Sequence, residues 1–212
     1  WEHDPWGRNF LGTPPQGRAD YAFFQHILRS MDSQTGRCAI LFPHGVLFRN
    51  EEQEMRKNLV EADLLECVLG LGPSLFYNSP MEACVLVCRA SKPVERKGKI
   101  LFINALNEVA RERAQSFLKP EHQAKILEAY QDFEDRPGFA FVSTLDRVLA
   151  KDGDLSIPKY VEKVRSEGDS GGSEDLPAAW ASFADGGRTF WTGMDSLVAT
   201  LDGVVAAEIK DA

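Results

Sequence analysis

Residues 36–73 read GRCAILFPHGVLFRNEEQEMRKNLVEADLLECVLGLGP, and this stretch decides the fold class. Cys38-Ala39-Ile40-Leu41-Phe42 is apolar without alternation and is closed by Pro43. The run is too short for a helix and fits a strand buried on both faces, the habit of strands in parallel sheets. Asn50 to Gln53 offers an N-cap with a capping-box partner for a helix to about Ala62. Leu64 to Leu71 is a second apolar run, ended by Gly72-Pro73. Upstream, Tyr21, Phe24, Leu28 and Met31 recur at helical spacing, and Ala22, Phe23 and Ile27 widen the face. Residues 18–32 are therefore expected to form a helix packed on a sheet. The order helix, strand, helix, strand implies parallel strands joined by crossover helices. On this reading 38–42 pairs in parallel with 64–70, and an all-helical or all-β body, or the absence of that pairing, would overturn it.

Working outward, the run Ala83–Cys88 follows after a loop of about eleven residues. That leaves no room for a crossover helix, so it is predicted to pair antiparallel with 64–71. Ile100–Ile103 is a further strand candidate. The expected architecture is an α/β sheet ending in a hairpin at one edge. Pro120 opens a helix at its first position, running to about Glu134 with Ile126, Leu127, Tyr130 and Phe133 on one face. Ser143-Thr144-Leu145-Asp146 opens a short helix by capping. Residues 1–17, rich in Gly, Pro and Trp, read as an irregular loop. Residues 165–175 (RSEGDSGGSED) read as a flexible linker between a domain at 1–164 and a helical extension at 176–212. Within that extension, Trp180, Phe183, Phe190, Trp191, Leu197, Val198 and Leu201 suggest a helical hairpin broken near Gly186-Gly187. Its aromatics need cover, either from the domain itself or from another subunit.

Composition bounds the function. A chain of 212 residues, 43% hydrophobic, can bury one good core. No apolar run reaches the eighteen or so residues that span a bilayer, and no signal pattern opens the chain. It begins at Trp1, so a natural start upstream is expected. Cys38, Cys67, Cys84 and Cys88 sit inside strand-like runs without CxxC spacing; they read as buried free thiols of a protein in a reducing cytosol. A net charge of −8 argues against a protein that grips DNA alone by its phosphates. Any DNA contact must be local or delegated to a partner. The densest basic stretch, Arg89 to Lys99, reads as a solvated strand-to-strand connection.

Three motifs draw the eye. Gly168-Asp169-Ser170-Gly171-Gly172 matches the string around a trypsin-like nucleophile, but it lies in a polar linker of an α/β chain, without the double barrel that chemistry uses. Thr13-Pro14-Pro15-Gln16 is superficially like the Asn-Pro-Pro-aromatic motif of amino-methylating enzymes, yet lacks both the amide and the ring. Pro43-His44-Gly45 follows a buried strand, where α/β proteins place ligands, so His44 is either functional or a turn residue near the surface. Neither a Gly-rich phosphate loop nor GxSxG is present.

Several strings, in order, resemble the M (modification) subunits of type I restriction-modification systems. They are 12–26 (GTPPQGRADYAFFQH), 36–49 (GRCAILFPHGVLFR), 56–66 (RKNLVEADLLE), Leu75-Phe76-Tyr77 and 155–161 (LSIPKYV), together spanning about residues 1–163. Each string alone is weak; five in order are strong. The resemblance implies the second half of a Rossmann-like methyltransferase sheet that transfers methyl from S-adenosylmethionine to the N6 amine of adenine in DNA. It also implies DNA, a specificity subunit and, in some assemblies, a restriction subunit as partners, with no membrane, in the cytoplasm.

In such enzymes an Asn-Pro-Pro-Phe loop holds the flipped adenine, because the target atom is shielded within the duplex. That loop and the Gly-rich cofactor loop are absent here, so no catalytic residue is assigned and residues 1–212 alone are expected not to methylate. Phe23 falls where relatives place an aromatic near the cofactor's adenine; otherwise it is a core helix residue. Phe76 falls where they place a second aromatic against the flipped base, with Tyr77 as the fallback; otherwise Phe76 packs under its loop. Asn78-Ser79-Pro80-Met81-Glu82 departs from the family pattern, and Glu82 opposes DNA electrostatically. The helical extension is a docking element for the specificity subunit or a cap on the sheet. The alternative reading is a catalytically dead methyltransferase-like scaffold or interaction module.

Overall fold

The computed structural model describes residues 4–77, 79–112 and 115–162, together with a helix over 176–210. The chain divides into two compact units, residues 1–164 and 165–212. In the first, α1 (Asp20–Arg29), β1 (Arg37–Pro43), α2 (Gln53–Glu61), β2 (Leu65–Leu71), β3 (Ala83–Arg89) and β4 (Lys99–Ala105) follow one another. A small β5–β6 ribbon (Ala110–Glu112, Gln115–Phe117), α3 (Pro120–Asp132), β7 (Ala140–Thr144) and α4 (Leu145–Leu149) complete it. Pro120 opens α3 as expected, since its missing N–H falls where the helix leaves a donor unpaired anyway. Thr144 caps α4 by accepting from Arg147 N.

The five-stranded sheet has the order β1-β3-β2-β4-β7. β2 and β4 are parallel, while β3 is antiparallel to both β1 and β2, and β7 is antiparallel to β4. The predicted antiparallel pairing of 83–88 with 64–71 therefore forms. The expected parallel pairing of 38–42 with 64–70 does not. β1 and β2 run the same way, but β3 lies between them, so the β2–β3 hairpin is interior and the edges are β1 and β7. A short return loop dictates that β3 runs antiparallel; it does not dictate which edge of the sheet β3 joins. Here the insertion buries Cys84, Leu86 and Cys88 beneath the helices.

A second correction follows from the first. β1 is not buried on both faces. Phe42 packs under α1 against Phe24, with Cys38 and Ile40 half-buried beside it, while Arg37, Ala39 and Leu41 face outward. The capping box expected at Asn50 is replaced by a 3-10 turn, with α2 starting at Gln53 and no side-chain cap. Leu127 is exposed on α3. β7 escaped prediction because its short run passes directly into the cap of α4.

Two apolar layers sandwich the sheet. On one side Tyr21, Phe24, Leu59, Val60, Val68, Leu86, Phe102 and Val148 pack together with the segment Leu155–Val161. On the other, Cys67, Leu101, Ile103 and Ala105 meet Ala129 of α3. Buried polar groups tie the segments of the first layer together. The fully buried Arg56 donates to the carbonyls of Arg49 and Gly153, and Gln25 and Asn58 hold the backbone of Leu11 and Gly12 against α1 and α2. The basic stretch 89–99 is not simply solvated. Lys92 is buried and donates to Asp63 and the Lys99 carbonyl, and Arg89 and Arg96 pair with the buried Glu66, which also accepts from Tyr130. Lys92, Arg89 and Arg96 are thus engaged internally rather than displayed as free phosphate-gripping cations.

In the second unit, Leu176–Lys210 is one α-helix, α5, rather than a hairpin. Glycine costs roughly 1 kcal/mol against alanine inside a helix, which Gly186-Gly187 can bear where no proline interrupts the run. The linker at 165–175 lies outside the described residues. Among the described residues, no helix is long and apolar enough to cross a membrane.

Candidate nucleic-acid site at the carboxyl side of the sheet

β1, β2 and β4 all end on one side of the sheet, the side from which β3 and β7 start. In α/β sheets this rim is where loops diverge and leave room for a ligand. Three segments gather there: Pro43-His44-Gly45 after β1, the β2–β3 loop 72–82, and Asn104–Glu108 at the end of β4. A cleft of about 670 Å³ runs beside the last two, lined by Pro73, Glu82, Asn104, Asn107, Glu108 and Lys125. Lys125 is paired with Glu108 across it.

The β2–β3 loop is built for close approach at its base and exposure at its tip. A Cβ on Gly72 would come 2.5 Å from the Leu106 carbonyl oxygen, so only glycine fits there. Ser74 sits in the left-handed region at φ 61°, and its carbonyl accepts from Ser116 N at 2.9 Å, tying the loop to β6. A tight turn closes where Ser79 N donates to the Phe76 carbonyl at 3.1 Å. The tip carries Phe76, 37% exposed, and Tyr77, 91% exposed. Tyr77 is thus the more available ring of the two. At the exit, His44 Nε2 lies 2.9 Å from the Ala83 carbonyl oxygen, and Nδ1 lies 3.4 Å from a carboxylate oxygen of Glu82. Glu82 thus faces an imidazole at the exit of the loop.

Phe23 stands on the outer side of α1 and is 64% exposed, whereas its neighbours Tyr21, Ala22 and Phe24 are buried. It is not a core residue of the helix. Among the described residues no ring contact joins it to Phe76 or Tyr77, so the three aromatics do not form one stack. Among the described residues no cluster of His, Cys, Asp or Glu could hold a metal ion.

Beneath the rim, burial shapes the ionisable groups. Glu52 is fully buried beside Arg49, with neither carboxylate oxygen hydrogen-bonded, and burial holds its pKa above the ordinary carboxylate value against the pull of Arg49. Burial likewise pushes the Cys84 thiol up to about 12 and raises the Cys67 and Cys88 thiols. Cys38, half-exposed on β1, is held below an ordinary thiol by its hydrogen bond with Cys88.

Sequence reasoning missed Glu66, Arg56 and Gly70. Gly70 lets the Leu155-Ser156-Ile157 string reach the sheet, because a Cβ there would sit 2.5 Å from Ile157 Cδ1 and 3.9 Å from His44 Nε2. A glycine inside an apolar run was the one available signal.

The profile of the N-6 DNA Methylase family matches residues 1–169. The MjaVIII type I restriction enzyme methylase subunit of Methanocaldococcus jannaschii is 34% identical over 185 residues, covering 80% of this chain and 32% of its own length. The HindI type I methylase subunit of Haemophilus influenzae is 34% identical over 167 residues, covering 74% of this chain and 37% of its own. The crystal structure of the type I restriction-modification methyltransferase subunit from Streptococcus thermophilus superposes with a TM-score of 0.69 at 33% identity, covering 75% of this chain and 34% of that one. The chain spans about a third of the length of the curated relatives it matches. Matched along residues 1–169, with its mixed sheet shared by a solved methyltransferase subunit, the chain belongs to the N-6 DNA methylase family.

Proposed function

We propose that this chain forms one wall of the substrate pocket of a type I restriction-modification methyltransferase, which moves the methyl group of S-adenosylmethionine to the N6 amine of adenine in DNA. The observation that carries the proposal is the β2–β3 loop, which presents Phe76 and Tyr77 at an exposed tip while its ends, Pro73 and Glu82, border a polar cleft. Every base has a π-face, and stacking on an exposed ring is worth roughly 1–3 kcal/mol per base. An adenine swung out of the duplex loses its neighbours' stacking, and such a ring replaces part of it.

The residues here do not fit the whole cofactor. α1 offers Phe23 as an aromatic wall, but neither an Asn-Pro-Pro-aromatic loop nor a Gly-rich cofactor loop occurs in the chain. No step of methyl transfer is therefore assigned to these side chains. Their part is to stack and orient the base, so that its amine meets the methyl group as in an intramolecular reaction. Phe23 is the cofactor-side candidate and Phe76 the base-side candidate, with Tyr77 beside it.

Partners follow the same reading. The chain is acidic overall and Arg89, Lys92 and Arg96 of its dense basic stretch are internally paired, so DNA sequence is read by a separate specificity subunit, with a restriction subunit as a further member in some assemblies. α5 suits docking to that specificity subunit. Trp180, Phe183, Phe190, Trp191, Met194, Leu197 and Val198 are all exposed along it, and Phe183, Phe190 and Leu197 repeat every seven residues. The location is the cytoplasm.

The test is methylation by the full methylase carrying Phe76→Ala, Tyr77→Ala or both. Loss of one stacked ring is expected to lower kcat/KM for DNA by about 5- to 100-fold. Unchanged methylation by the double variant would remove the loop from the site.

A further inference from the structure

We propose that His44 is a positioning residue for base binding: its imidazole clamps the point where the β2–β3 loop re-enters the sheet, and thereby sets the aromatic tip. The inference rests on the reading of that loop as the base-stacking element. Pro43 is the last residue of β1 in register with β3, opposite Ala83. At His44 the backbone leaves the sheet and turns into a 3-10 helix, His44–Leu47. The side chain then takes over the pairing. Nε2 donates to the Ala83 carbonyl at 2.9 Å, on the last rung of the ladder, while Nδ1 faces the Glu82 carboxylate at 3.4 Å. Both partners are acceptors, so the ring makes both contacts together when both nitrogens carry protons.

The surroundings hold the ring in place. It lies above Gly70, whose missing Cβ leaves room for Ile157 against β2. Gly45, the next residue, is overlain by the Arg49 side chain, which pairs with Asp20 and Glu52 and so secures the turn from below. The loop is thus tied at its entry by Ser116 N to the Ser74 carbonyl and at its exit by Ala83, which is laddered to Pro43 and Leu71 and carries the His44 ring on its carbonyl. Only residues 75–82 lie between the two anchors, and Phe76 and Tyr77 are among them. Losing the His44 contacts frees Glu82 and loosens residues 75–82 beside the laddered Ala83, which weakens any geometry that depends on a fixed ring.

The experiment compares His44→Ala and His44→Gln in the full methylase with its specificity subunit. A Gln side chain carries an N–H at about the reach of Nε2 and can keep the bond to Ala83. Two readouts are taken: amide hydrogen exchange at 75–83 against that at 99–105 in β4, and KM for DNA against kcat. Losing one hydrogen bond to a carbonyl is expected to speed exchange at 75–83 about tenfold while leaving 99–105 unchanged. KM for DNA is expected to rise about tenfold with a smaller fall in kcat, and His44→Gln is expected to recover most of both. Unchanged loop exchange in His44→Ala would overturn the proposal. So would exchange that rises equally in β4, or a Gln variant as impaired as the Ala variant, because either marks a residue of general structural importance. Phe76→Ala/Tyr77→Ala serves as the control. If methylation survives that double variant, the loop reading fails. If the double variant is impaired while His44→Ala behaves as wild type, the His44 inference alone fails.

Discussion

Gly70→Ala provides a sharp test of how the distant strings of this chain meet. Gly70 lies in β2 with no unusual backbone angle, so alanine is tolerated by the backbone itself. The obstacle is a single atom: the new Cβ would lie 2.5 Å from Cδ1 of Ile157, which is 1% exposed and cannot swing aside freely. Forcing a methyl group into a packed core costs about 1–3 kcal/mol. Against this, alanine in place of glycine reduces the entropy of the unfolded chain, which stabilises by about 0.4–1 kcal/mol. A net loss of about 1–2 kcal/mol follows. For a chain of this size that corresponds to a fall in Tm of about 2–8 °C. Ile157→Val removes Cδ1 and alone costs about 0.5–1.5 kcal/mol. In that background the nearest remaining neighbours of the methyl group added at position 70 are the Ile103 carbonyl at 3.7 Å and His44 Nε2 at 3.9 Å, ordinary contact distances. The second substitution then becomes neutral or slightly stabilising. Urea denaturation of the four proteins closes a double-mutant cycle with an expected coupling of about 1–3 kcal/mol. Additive effects, or a harmless Gly70→Ala in the wild-type background, would show that the Leu155–Val161 segment does not pack on β2 as described.

Two further measurements probe the buried chemistry. The folded-state pKa of Glu52 lies above its unfolded value, so the folded chain holds that proton more tightly, and the stability difference grows unfavourable as pH rises from the unfolded value through the raised one. Glu52→Gln removes this term, so its Tm relative to wild type is expected to climb between about pH 4 and neutrality; a flat or falling difference would contradict the burial of a hydrogen-bond-starved carboxyl. Thiol labelling of the folded chain is expected to modify Cys38 rapidly and leave Cys67, Cys84 and Cys88 unmodified until denaturant is added, since the thiolate is the reactive form and burial suppresses it. Fast labelling at Cys84, read by peptide mass, would mean that the face of β3 under the helices is open.

The run lengths and spacings of residues 18–105 determined which segments become helices and strands, and the eleven-residue gap before Ala83 determined that β3 runs antiparallel to β2. These are local consequences: apolar periodicity sets the element, and loop length limits the connection. The five ordered strings were enough to identify the family, and Phe76 and Tyr77 were marked for the loop that displays them. The chain order of apolar runs carries no information about which sheet edge a strand joins, so β3 was misplaced at the margin and β1 was read as doubly buried. Only the tertiary structure placed β3 between β1 and β2, which turned Leu41 outward and brought Pro43 opposite Ala83. The same event put His44 against Glu82 and Gly70 beneath Ile157, pairs 38 and 87 residues apart. Contacts of that separation depend on how whole elements stack to bury apolar surface, and no local pattern of residues encodes them.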